Sequence, residues 1–78
     1  MSNKTAKMKQ EAQGLYTQLQ SSDAEEVKGA MGEYLQLVDR FYRENENLMA
    51  PQQYATAKEN FEYFVQLLEL AEEYHKEG

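Results

Sequence analysis

The chain contains no cysteine. Disulfides and thiolate metal sites are therefore excluded, and the composition fits a reducing compartment. It has one histidine, no glycine-rich phosphate loop and no serine in a nucleophile-elbow context. Neither an enzyme nor a bound cofactor is expected. The longest apolar runs are two or three residues, against the roughly 20 that a bilayer-spanning helix needs. The first residues bring lysines but no apolar stretch, so a secretory leader is not expected either. These absences predict a soluble, cytoplasmic protein that does not engage a membrane.

Helix breakers are also scarce, with one proline and four glycines in 78 residues. Gln, Glu, Leu, Ala, Lys and Met are abundant, and all favour helices. No strand-like alternation extends over six residues or more. The expectation is an all-α chain forming one helical domain over residues 1–78. A chain this short buries only about 60% of the surface its unfolded form exposes. Its core supplies on the order of 3–5 kcal/mol net, so a partner chain is a natural source of further stability.

The net charge is −6 and unevenly spread. The first ten residues hold Lys4, Lys7 and Lys9 and no acid, so the rest of the chain carries −9. An acidic body repels nucleic acid and anionic membrane. Three lysines without arginine or interleaved aromatics give weak, non-specific phosphate contacts. The basic arm reads as a solvated tail, and direct nucleic-acid binding is not expected.

Three helices are predicted, over about 4–20, 23–45 and 51–76, behind a flexible start at 1–3. In the first, Met8, Ala12, Leu15 and Leu19 form a thin stripe with Tyr16 beside it. Ser2 or Asn3 stands where a cap would, and Gly14 weakens the helix. Ser21-Ser22-Asp23 reads as a break followed by an N-cap. Ser22 and Glu25 have capping-box spacing, and Asp23, Glu25 and Glu26 suit the positive end of the helix dipole. In the second helix, Val27, Ala30, Tyr34, Leu37 and Phe41 make one apolar row. Met31, Leu35, Val38 and Tyr42 make the next. Gly29 and Gly32 fall near the opposite side, either as surface residues or as a flat place where another backbone comes close. Glu44 to Asn47 end this helix, and Leu48 and Met49 lie in the connector. Pro51 suits the first turn of the third helix and pushes Ala50 out of the α region.

The third helix carries too much apolar surface for one neighbour. Tyr54, Ala57, Phe61, Phe64, Leu68 and Ala71 form one row, and Tyr63, Leu67, Leu70 and Tyr74 form another. Together they span roughly 220° of the helix at 100° per residue, wider than an ordinary amphipathic stripe. Short connections favour antiparallel neighbours. The predicted architecture is therefore a small antiparallel three-helix bundle, a long hairpin of helices two and three crossed by a shorter first helix. The competing arrangement is a two-helix hairpin whose first helix packs on another chain.

The first row has an obvious use against helix two. The second leaves Tyr63, Leu67, Leu70 and Tyr74 as a docking face for another protein or a second copy in a homodimer, with Leu48 and Met49 as possible additions. Tyrosine combines an apolar body with a polar tip, and aromatic anchors concentrate interface energy. On this reading the chain is a non-enzymatic protein–protein interaction module of the small adaptor, chaperone-like or inhibitor kind. An alternative rests on Glu59, Glu62, Glu69 and Glu73, which line one polar ridge with Gln66. Four carboxylates in a row could imitate phosphates and occupy the cleft of a DNA- or RNA-binding protein. A further alternative is a metal-binding helical dimer through Glu72 and His75, whose Glu-x-x-His spacing recurs in di-iron bundles. A single such pair at a helix end is more simply a terminal histidine beside the negative end of the dipole, so no metal site is assigned. In outline only, small helical hairpins of this kind resemble secretion chaperones, phage-encoded inhibitors and small regulatory adaptors, and no motif selects among them.

Overall fold

The computed structural model describes residues 4–77, with side chains over 5–74. The capping role of Ser2 or Asn3, the start at 1–3 and the side chains of Lys4 and His75 lie outside the described residues. The described residues are all-helical: α1 (Lys4–Leu19), α2 (Ala24–Glu44), a 3₁₀ turn (Glu46–Leu48), α3 (Pro51–Glu59) and α4 (Phe61–Glu77).

The helix boundaries follow local chemistry. Asp23, in an extended conformation, caps α2 by accepting from the Glu25 N–H at 3.0 Å. Ser21 Oγ in turn accepts from the Asp23 N–H at 3.0 Å. The cap is thus one residue later than the Ser22–Glu25 box. A carboxylate at this position satisfies an orphan donor and also meets the helix dipole. Asn45 closes α2: its N–H reaches the Phe41 and Tyr42 carbonyls, and its side-chain amide donates to Phe41 O at 3.0 Å. Pro51 opens α3, and Ala50 before it is extended. Gln53 Oε1 folds back to accept from the Ala50 N–H at 2.8 Å.

The largest departure from expectation is at Asn60. The helix expected over 51–76 is two helices parted by this residue, whose backbone is extended. Asparagine is a poor interior residue and a strong N-cap. Here its Oδ1 accepts from the Tyr63 N–H at 3.1 Å, and its carbonyl accepts from the Phe64 N–H at 3.1 Å. Ending α3 at Glu59 releases the Ala57 carbonyl from a helical ladder. The buried Tyr34 hydroxyl takes it, donating to Ala57 O and lying 3.5 Å from Asn60 O.

The break changes the topology. α3 runs back along α2, with Tyr54 stacked on Tyr42 at 4.5 Å and Ala57 at Tyr34. α4 then runs in the same sense as α2. Phe61 lies 5.7 Å from Tyr34, and Phe64 packs edge-on to both Tyr34 and Phe41 at 5.5 and 5.4 Å. The hairpin partner of α2 is therefore the short α3, and α4 is parallel to α2.

Helix α1 packs on its own chain, against α2 and α4. It is antiparallel to both: Glu11 meets Arg40 at 2.6 Å, Lys9 lies 3.4 Å from Glu72, and Tyr16 stacks on Phe61 at 4.9 Å. The arm read as a solvated tail is helical from Lys4 onward, and Lys9 is engaged by α4. Met8, Ala12 and Leu15 enter the core with Ala30, Tyr34, Leu37, Val38 and Phe41 of α2. Met49, Ala57 and the Phe64, Leu67, Leu68 and Ala71 face of α4 complete it.

Candidate functional site

On α4 the apolar arc is divided by its neighbours. Phe64, Leu68 and Ala71 are buried in the common core, with Phe64 edge-on to Tyr34 and Phe41 of α2. Leu67, read as part of a docking face, belongs to the core, with only 6% of its surface exposed. Tyr63 is half-buried against the same cluster. Leu70 and Tyr74 stand at the surface, 66% and 62% exposed. The row of four is thus two inward and two outward residues.

The outward pair borders an apolar cleft of about 240 Å³. From α4, Leu67, Leu70, Ala71 and Tyr74 line it. The connector brings Leu48 and Met49, α2 brings Phe41, and α3 brings Gln53. The structure therefore unites Leu48 and Met49 with three of the four residues expected to form a docking face and leaves Tyr63 out. Phe41, Ala71 and Gln53 are lining residues that sequence reasoning missed. Phe41 and Ala71 carried an apolar signal but were assigned wholly to the core. Gln53 had no apolar signal, and its place follows from its bond to Ala50. The connector faces the second half of α4 because α4, after the break at Asn60, runs back towards the end of α2.

The acidic ridge is rearranged. Glu59 ends α3, so only Glu62, Glu69 and Glu73 share α4 with Gln66. All of these are exposed. Lys9 Nζ lies 3.8 Å from Glu69 and 3.4 Å from Glu72, drawing charge off the α1 side of the ridge. Glu72 is thus held by a lysine, while its proposed co-ligand His75 has its side chain outside the described residues. Among the described residues no three His, Cys, Asp or Glu side chains are grouped to hold a metal ion, and no helix is long and apolar enough to cross a membrane.

Gly29 and Gly32 are exposed, and a Cβ at either would meet nothing within 4 Å. Among the described residues they adjoin no backbone outside their own helix. A larger groove of about 530 Å³ runs along the α1–α2 seam, with Glu11, Gln18, Glu33, Gln36, Asp39 and Arg40 among its walls. Its one cation, Arg40, is already paired with Glu11. No family model, curated protein or solved structure matches this chain.

Proposed function

We propose that this chain is a non-enzymatic protein-binding module whose cleft at the α4–connector junction accepts an apolar side-chain row from another polypeptide. The observation that carries the reading is the exposed Leu70–Tyr74 edge bordering a cleft with Leu48, Met49 and Leu67 on its walls. Sites that dock helices present this combination of open apolar anchors over a preformed groove. The only polar groups in the lining side chains are the Gln53 amide and the Tyr74 phenol, a set suited to contact more than to acid–base chemistry. Phosphate mimicry is less well supported, because Glu59 has left the ridge and Glu69 lies near Lys9.

A neutral amphipathic peptide with a leucine row and glutamine flanks tests the reading. Backbone amide resonances followed during titration should shift at Leu48, Met49, Leu67, Leu70, Ala71 and Tyr74. Leu70→Gln should abolish those shifts while leaving the far-ultraviolet circular dichroism unchanged. A titration that moves none of these resonances sinks the reading.

A further inference from the structure

We infer that the partner segment is a basic amphipathic helix, with apolar anchors flanked by Lys or Arg, and not a second copy of this chain. The inference rests on the docking reading and adds the sign of the partner's charge. It joins two features of α4 that the sequence presents as rivals. On a helical wheel Glu73 lies roughly 60° from Leu70, and Glu62 and Glu69 lie within about 100° of it. Glu69 and Glu73 therefore flank the exposed apolar edge within one turn of Leu70, and Glu62 stands on the same side two turns earlier. On the opposite wall the connector places Glu46 two residues from Leu48. From Glu44 to Gln53 and from Phe61 to Tyr74 the chain has six acids and no Lys or Arg.

Some of that charge is already used. Lys9 holds Glu69 and Glu72 on the α1 side, and Glu44 lines a small groove with Lys7 and Arg40. Glu46, Glu62 and Glu73 form no ion pair among the described residues. An apolar groove bordered by unpaired carboxylates attracts a cationic amphipathic segment and repels an anionic one. A two-fold pairing of this face with itself would set ridge against ridge, an arrangement that like charge disfavours.

Three synthetic peptides of one length and one leucine row, with Lys, Gln or Glu flanks, test this by calorimetry and sedimentation. Affinity should fall in the order Lys, Gln, Glu, with about tenfold between the extremes at low salt. The spread should collapse as salt rises. Glu62→Gln with Glu73→Gln should narrow it without removing the neutral peptide's binding. Leu70→Gln should remove all three, and Tyr74→Gln provides a second variant at the same edge. Equal affinity for the three peptides overturns the inference while leaving the docking reading in place. Binding of the Lys peptide that survives Leu70→Gln overturns it, because the acids alone would then account for binding. Binding by none of the peptides overturns both readings. A concentration-dependent rise in mass that Leu70→Gln abolishes also overturns it, by making a second copy the occupant.

Discussion

Tyr34 shows how much one side chain can depend on a break elsewhere in the chain. It is 2% exposed and would cost stability if its hydroxyl lacked an acceptor. The interruption at Asn60 supplies the Ala57 carbonyl. Burial pushes the phenol up from 10.0 to about 12. The folded chain therefore holds this proton after the unfolded chain has released it, so stability falls as pH rises from 10.0 towards about 12. Tyr34→Phe should cost about 1–2 kcal/mol at neutral pH by orphaning the carbonyl. The gap between variant and wild type should close on the order of 2 kcal/mol across that alkaline window, read from urea midpoints. A gap independent of pH would mean the hydroxyl is not buried. The pair Leu67 and Leu70 makes a second residue-scale contrast. Leu67→Ala should cost about 2–4 kcal/mol, as buried leucines do, and Leu70→Ala less than about 1 kcal/mol. Comparable losses would contradict their different burial. Periodicity shows both as apolar. Only the neighbours separate them, because two positions three apart on one helix can fall on either side of a packing edge.

At the scale of the element, capping chemistry was legible and helix continuity was not. The Ser21–Asp23 break and the Pro51 start follow from interactions within four residues, and both stand in the structure. The cap itself is Asp23, so Asp23→Ala should cost about 1 kcal/mol and Ser22→Ala no more than a few tenths, measured by chemical unfolding. Asn60 carried the signal for the missed break. It is an N-cap residue inside a helix-forming stretch, and the apolar rows on its two sides stay nearly in phase, which conceals the interruption. Asn60→Ala should cost about 1 kcal/mol through loss of the Tyr63 cap. Gly29→Ala and Gly32→Ala should each stabilise α2 by about 0.5–1 kcal/mol, since the added methyl meets only open space. For a chain of this length that is a rise of a few degrees in Tm. A loss of stability in either variant, read from urea midpoints, would contradict the open space around the added methyl.

At the scale of the whole molecule, shape decides what is left uncovered. The Cα extents are 41 × 25 × 17 Å. With helix axes about 8–10 Å apart, the shortest dimension admits two helix layers, and every helix keeps a side to solvent. An apolar arc as wide as that of α4 cannot be enclosed by so thin a fold. On α4 the edge at Leu70 and Tyr74 stays open, and elsewhere Tyr16, Met31 and Leu35 are exposed to a lesser degree. With a net charge of −6 and acids on the same side of α4 as the exposed Leu70–Tyr74 edge, sedimentation should give the 9.1 kDa monomer mass across concentration at low salt. A dimer under those conditions would contradict the charge argument.

Sequence alone determined the helical character, the break before α2 and the Pro51 start of α3, the apolar rows and the acidic side of α4. Each depends on residues a turn or less apart, through propensity, side-chain capping and the 3.6-residue period. Tertiary structure decided that α1 packs in cis, that α4 runs parallel to α2, that Tyr34 finds Ala57, and that Leu67 is core while Leu70 is surface. Periodicity states which residues share a face, and neighbours distant in the chain decide which part of that face is covered.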